Sequence, residues 1–125
     1  MRRSVVIFAI LGLVVVVISL AIVELDVIPP RAMTISAIDE TSARIELYFQ
    51  RNKKLPTDLS MLPLREGYMN SITDGWKHPL MYTIDADDIF TLSSLGRDAK
   101  VGGTGDDADV SCQYHIVKGQ VQPMK

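Results

Sequence analysis

Ser4 to Val23 is a run of 20 residues without one charged side chain, rich in Val, Ile and Leu and preceded only by Met1-Arg2-Arg3. A helix rises about 1.5 Å per residue, so this run spans roughly 30 Å, the thickness of a bilayer core. Besides alanine, its only small interruptions are Ser4, Gly12 and Ser19, and none is costly in lipid. Arg2 and Arg3 favour a cytoplasmic N-terminus with the rest of the chain carried across. A cleaved secretory signal peptide is the competing reading, because Ser19-Leu20-Ala21 is a passable small-x-small cleavage site. The apolar run continues through Ile22-Val23, long for a signal region, which favours an uncleaved transmembrane helix over residues 4–23. Either reading places the remainder of the chain outside the cytoplasm.

Residues 24–32 read as a proline-containing linker. Proline lacks a backbone donor and pushes the preceding residue out of the helical region, so Pro29-Pro30 forms a stiff joint. All 15 acidic residues lie from Glu24 onward, against 11 of the 13 basic ones. A mildly acidic domain lacks the basic footprint of nucleic-acid binding. The total of 125 residues allows one domain and excludes a multi-domain enzyme. The single cysteine excludes an internal disulfide framework.

From Met33 to Arg51, Ile35, Ile38, Ile45 and Phe49 recur at helical spacing, with Glu40, Arg44 and Glu46 mainly on the other side. That pattern predicts an amphipathic helix packed on a sheet. Thr34 and Ser36 are candidate caps, and Asn52-Lys53-Lys54 suits its end. Leu55-Pro56-Thr57 stops the helix, and a helical turn is expected over Asp58–Leu62 before Pro63. Asp74-Gly75-Trp76 signals a turn. Leu80–Ile84 and Ile89–Ser93 are β-prone runs joined by the four residues Asp85–Asp88, which reads as a hairpin. Gly96 to Asp109 is loop by composition, Val110–Val117 is a last strand, and residues 118–125 form a polar tail. The expected architecture is α+β: one helix on a small antiparallel sheet, as a domain over residues 33–117.

The loop carries the most chemistry. Asp98 and the pair Asp106-Asp107 flank a turn containing Gly102, Gly103 and Gly105. Hard cations such as calcium take six to eight oxygen ligands, roughly, from carboxylates and carbonyls, and glycines let a chain fold back to supply them. From spacing alone a solvated acidic loop is the favoured reading, because Asp and Gly are ordinary loop residues. It is not an EF-hand, since the twelfth residue from Asp98 is Asp109 and the third is Lys100. Nor is Gly102-Gly103-Thr104-Gly105 a phosphate loop, because no Lys-Ser/Thr follows. Cys112 and His115, three apart on a strand, face opposite sides of the sheet and form neither a thiol–base pair nor a metal pair. With His78 they do not assemble four zinc ligands, and no Ser-His-Asp arrangement has motif support. No catalytic site is visible and no small-molecule substrate is implied, so the chain reads as a non-enzyme.

Several of these passages share one resemblance. Ile38 to Phe49 followed by Leu55-Pro56-Thr57 resembles the helix-then-"Leu/Tyr-Pro" passage of bacterial pseudopilins. Asp74-Gly75-Trp76-Lys77-His78-Pro79-Leu80-Met81-Tyr82 is similar to that family's "DGWGNPLQY", with Lys77-His78 in place of Gly-Asn. Phe90 to Asp98 resembles "FTLTSLGAD", and Gly102 to Val110 resembles "GGxGxDADI". The resemblance is to the soluble C-terminal domain of the major pseudopilin of type II secretion systems, and it covers residues 38–110. It implies a calcium-binding loop (Ca2+) that holds the C-terminal region folded and supports assembly. On this sequence, Asp98 and Asp106 or Asp107 would be carboxylate ligands, Leu95 a carbonyl ligand and Val101 a second one. It also implies that Trp76 and Pro79 pack the turn against the domain.

The N-terminus departs from the family. Members carry a prepilin-peptidase site resembling "GFTLIE", whereas Arg2-Arg3 here runs into Ser4-Val5-Val6-Ile7-Phe8 with no glycine and no early glutamate. Met1 or Arg2 is therefore expected to remain at the mature N-terminus, which argues against ordinary pseudopilus polymerisation. The expected protein is a single pass in the bacterial inner membrane, residues 1–3 cytoplasmic, with a pseudopilin-like domain in the periplasm. Its expected role is structural, as a component or assembly partner of a type II secretion-like or pilus-like system, with other pseudopilins or secretion proteins as partners. The alternative is an orphan extracytoplasmic binding module that uses the same domain outside a secretion system.

Overall fold

A computed structural model describes residues 27–125. The membrane segment expected at residues 4–23 lies outside the described residues. Among the described residues, no helix is long and apolar enough to cross a bilayer.

Helix α1 spans Pro30–Asn52. It starts three residues earlier than its apolar spacing suggests. Pro30 sits at the first helical position, where proline's missing N–H costs nothing and its fixed φ suits the helix. Pro29 is the N-cap, its carbonyl accepting from Met33 N–H at 3.1 Å. The proline pair thus opens the helix rather than separating it from a linker. At the other end Lys53 takes a left-handed conformation (φ 59°) and its N–H closes on the Phe49 carbonyl at 2.7 Å.

The inward face of α1 is more polar than its apolar residues suggest. Ile38 and Ile45 are fully buried, as expected, but Ile35 is 48% exposed and Arg44 only 3% exposed. Arg44 points into the domain and donates to the carbonyls of Pro63 (2.9 Å), Asn70 (3.1 Å) and Leu62 (3.4 Å). Burial lowers its pKa from the usual arginine value, with Glu40 partly opposing. A guanidinium with several carbonyl acceptors can be buried where an unpartnered charge could not. Through it the helix fixes the irregular segment 62–70. Thr34, a candidate cap, is also buried: its hydroxyl donates to the Pro30 carbonyl and accepts from Gly75 N–H, both at 2.9 Å.

A short 3-10 turn, Leu59–Met61, comes after α1, capped by the Asp58 carboxylate accepting from Ser60 N–H at 2.7 Å. Four antiparallel strands then form a meander: β1 Met81–Ala86, β2 Ile89–Ser94, β3 Val110–Val117 and β4 Gln120–Pro123, in sheet order β1-β2-β3-β4. The β1–β2 turn is tighter than the expected four-residue loop. Ala86 pairs with Ile89, and the register shifts between Ile84 and Ala86, leaving Asp85 unpaired in the ladder. Strand β2 alternates cleanly, with Phe90, Leu92 and Ser94 buried. Opposite them on β3 stand Tyr114, Cys112 and Val110. Phe90 lies between Tyr114 (ring centroids 5.1 Å) and Tyr82 (6.0 Å).

Strand β4 replaces part of the expected polar tail. Lys118 (φ 52°) and Gly119 (φ 78°) make a two-residue turn, the left-handed geometry that matches strand twist. Val121 N–H then donates to the Glu46 carboxylate at 2.7 Å, and Gln50 donates to the Gly119 carbonyl at 3.2 Å, so α1 covers this edge strand. The helix lies over β2, β3 and β4, and the core between them is Ile38, Ile45, Tyr48, Phe90, Leu92, Tyr114 and Ile116.

Candidate functional site

The loop between β2 and β3 is built from its floor upward. Ser94, 1% exposed at the end of β2, donates its hydroxyl to Asp74 Oδ2 at 2.8 Å and accepts from Gly96 N–H at 3.1 Å. Asp74 Oδ1 accepts from the N–H groups of Trp76 and His78, both at 2.9 Å. Gly75 presses so closely on the start of α1 that a Cβ there would collide with the main chain of Pro30. The buried Asp74 carboxylate therefore joins its own turn to the base of the loop, while Gly75, through Thr34 and Pro30, joins that turn to the first turn of α1.

Above this floor the chain turns back on itself. Gly96 has φ 78°, and a Cβ on it would sit 2.7 Å from the Asp107 carbonyl oxygen and 2.8 Å from that of Asp106. Arg97 N–H donates to the Asp106 carbonyl at 2.8 Å. Gly103 (φ 99°) makes the same close approach to the Asp107 carbonyl, at 2.7 Å for a Cβ. Only glycine meets both the left-handed φ and the lack of space. A 3-10 turn, Gly105–Asp107, carries the acidic pair. Arg31, at the start of α1, donates one guanidinium nitrogen to the carbonyls of Gly105 and Ala108, each at 3.1 Å.

The expected ligands are distributed unevenly over this frame. Leu95 is half-buried where β2 ends, while Val101 is 86% exposed at the loop tip. Asp98 is exposed, and its Oδ1 accepts from Lys100 N–H at 3.0 Å. Asp106 is exposed, with its main chain held against Arg97. Asp107 is half-buried, and both carboxylate oxygens are engaged by Arg97: Nε to Oδ1 at 3.0 Å and Nη2 to Oδ2 at 3.2 Å. Asp109 accepts from Gly102 N–H through both oxygens at 3.1 Å. The loop thus brings the main chain of Asp106 and Asp107 against Gly96-Arg97. Among the described residues, no three acidic, His or Cys side chains converge on one point. As a donor set, the carboxylates and carbonyls here are all oxygen, which suits a hard cation.

Sequence reasoning missed Arg97 and Arg31. The hydrogen bonds that Arg97 donates to Asp107, and then the charge of that carboxylate, raise the Arg97 pKa above the ordinary arginine value. Desolvation opposes this weakly, and the charges of Asp106 and Asp98 add to the rise. The available signal was a cation set directly beside the first acid of the stretch, at Leu95-Gly96-Arg97-Asp98, with Lys100 the other basic residue of the loop. Elsewhere Cys112 faces the core side of β3, and His115, on the other face, meets Asp88 at 2.9 Å. The two do not meet, as their spacing on the strand requires.

The family model for the type II secretion system protein G matches residues 31–113, which is 83 of the 125 residues. That span takes in α1, the Asp74 turn, β1, β2, the acidic loop and the first half of β3. No curated protein and no solved structure matches the chain.

Proposed function

Because this chain belongs to the type II secretion system protein G family, the major pseudopilins, we propose that it is a membrane-tethered, pseudopilin-like structural subunit or assembly partner of a secretion machine. The family is structural rather than catalytic, and association with other secretion components follows from membership. The observation that carries the reading is the extent of the family match, which spans residues 31–113, from the first turn of α1 past the acidic loop into β3. The uncharged run Ser4–Val23 behind Arg2-Arg3 supports an inner-membrane anchor with the domain in the periplasm. Ile28, Met33, Ala37 and Met69 line an apolar groove of about 160 Å³ beside the start of α1. Ile28 and Met69 are 63% and 80% exposed there, which suits packing against neighbouring subunits.

Calcium is the cation proposed for the loop. Asp98, with Asp106 or Asp107, would supply carboxylates, and Leu95 and Val101 main-chain carbonyls. When bound, the ion would neutralise acids that otherwise repel one another and tie the loop tip to the end of β2. Two arms test the reading. Deleting the gene is expected to abolish export of the machine's secreted proteins, and unimpaired export contradicts the structural role. The full chain in detergent, melted in EDTA, magnesium and calcium, is expected to gain a calcium-selective rise. At 100 times the dissociation constant a ligand contributes about 2.7 kcal/mol, a shift of roughly 10 °C or more in a domain of this size. No rise in calcium removes the metal from the account.

A further inference from the structure

We propose that, in the tethered subunit before assembly, the apolar groove beside the start of α1 lies against the lipid bilayer, with Ile28, Tyr68 and Met69 seated at the headgroup level. The inference rests on the anchor reading of Ser4–Val23 and adds how the domain sits on that anchor. In an assembly the same groove is open to a neighbouring subunit; until then lipid covers it.

Chain length fixes the neighbourhood. The uncharged run ends at Val23, and the described residues begin at Val27. Extended chain covers about 3.3–3.6 Å per residue, so Val27 stands within about 14 Å of the end of that run. Val27 and Ile28 are both exposed, and α1 opens directly after them at Pro30. The end of the domain nearest the bilayer is therefore the end that carries the groove. Ile28 and Met33 line it from the chain that leaves the membrane, and Met69 from the segment before the Asp74 turn. Ser36 and Glu40 belong both to this groove and to an adjoining depression lined by Arg65 and Tyr68, so the surface continues along α1.

The loop that supplies Tyr68 and Met69 holds apolar side chains outward on a fixed frame. Asn70 closes it: Oδ1 accepts from Arg65 N–H at 2.7 Å, and Nδ2 donates to the carbonyls of Arg65 and Tyr68 at 2.9 and 3.0 Å. Gly67 turns the chain with φ 81°, and Arg44 grips both ends of the segment through Leu62, Pro63 and Asn70. A loop so fixed loses little conformational freedom on docking, yet Met69 is almost fully exposed and Tyr68 more than half. The Arg65 guanidinium stands 3.7 Å over the Tyr68 ring. A tyrosine carrying a cation suits the headgroup layer, where aromatic rings gather and arginine reaches phosphate while its stem stays in apolar surroundings. Lys77 on the groove adds a second cation, but Asp39 and Glu40 line the same surface. The patch thus carries no excess positive charge, and its docking is apolar, without need of anionic lipid. The tether raises the local concentration of bilayer, so a weak contact is enough.

The test reconstitutes the full chain in phosphatidylcholine vesicles, with a fluorophore on Met69→Cys or, as control, on Arg51→Cys, each in a Cys112→Ser background. Both labelled positions are exposed, and position 51 lies near the far end of α1, roughly 30 Å from Pro30 at about 1.5 Å per residue. Spin-labelled lipid is expected to quench position 69 several-fold more than position 51, and aqueous iodide several-fold less. Adding Tyr68→Glu, at another exposed position, is expected to reduce lipid quenching at 69 several-fold. Flotation separates this proposal from the reading beneath it. A chain that does not float with the vesicles removes the anchor and the docking together, whereas a chain that floats with equal quenching at 69 and 51 overturns the docking alone. Shielding of position 69 from both quenchers, lost when the protein is diluted in lipid, assigns the groove to a second copy and also overturns it.

Discussion

Replacing Asp74 by alanine should be among the most damaging single changes outside the apolar core. The carboxylate is 4% exposed and accepts three hydrogen bonds, from Trp76 N–H, His78 N–H and the Ser94 hydroxyl, at 2.8–2.9 Å. Hydrogen bonds to a charged acceptor contribute about 1.5–3 kcal/mol each, and an orphaned buried donor costs about 1–3 kcal/mol. Ser94 is fully buried and has no route to water, whereas the two N–H groups are partly buried and recover part of their loss. A net loss of about 3–5 kcal/mol is expected, which in a domain of this size lowers the midpoint by roughly 15–30 °C. The loss should leave the fold intact at low temperature if total stability lies in the usual range of about 5–15 kcal/mol. Asparagine is the control. Its amide oxygen still accepts from Trp76 and His78, and its nitrogen can donate to the Ser94 oxygen, so Asp74→Asn should lose less than half as much. Calorimetry and Trp76 fluorescence on both variants read the result. An alanine variant that loses less than about 1 kcal/mol, or no more than the asparagine variant, would refute the carboxylate as the joint between turn and loop.

Other positions make separate demands. Arg44→Ala orphans the carbonyls of Pro63, Asn70 and Leu62 and should cost about 2–4 kcal/mol, with protease cleavage newly appearing within residues 62–70. Gly96→Ala forces a left-handed φ of 78° on a side chain that would meet the Asp106 and Asp107 carbonyls; a loss of about 2 kcal/mol or more is expected by thermal unfolding. Burial, and then the neighbouring Tyr48, push the Tyr82 phenol up to about 12 from 10.0, and burial also raises Tyr114. A raised folded pKa contributes stability that is present below the unfolded value and lost as pH rises through the folded one. Stability should therefore fall between about pH 10 and pH 12, with tyrosinate absorbance appearing together with loss of fold. In Tyr82→Phe the fall should be shallower.

Which parts of the fold were legible depended on how local their causes are. Strand β3 was readable to its last residue because Val110–Val117 alternates and is bounded by loop and glycine signals. Strand β4 was not, since Gln120–Pro123 has one apolar residue facing the core and ends in proline. Its signal was the Lys118-Gly119 turn rather than its own composition. The stripe on α1 correctly marked Ile38 and Ile45. It misplaced Arg44 and Ile35, because a buried guanidinium is chosen by three carbonyls brought in from residues 62–70, which no helical period records. The same holds at the loop. The acids and glycines announced themselves, but Arg31 reaches the loop from more than 70 residues away. Arg97 became a partner of Asp107 only once the chain had folded back over Gly96. The expected ligands Leu95, Asp98, Val101, Asp106 and Asp107 lie along one stretch of chain, but among the described residues no three acidic side chains converge on one point. The cations that now hold that loop are the part that geometry alone supplied.

The most direct test of the structural role is photo-crosslinking in living cells from a probe at Ile35, which stands 48% exposed on the outer side of α1. A subunit or assembly partner of a secretion machine should give membrane-bound adducts to other copies of itself or to other pseudopilins, identified by mass spectrometry. Adducts confined to lipid or absent altogether, in cells actively exporting protein through the machine, would contradict the account.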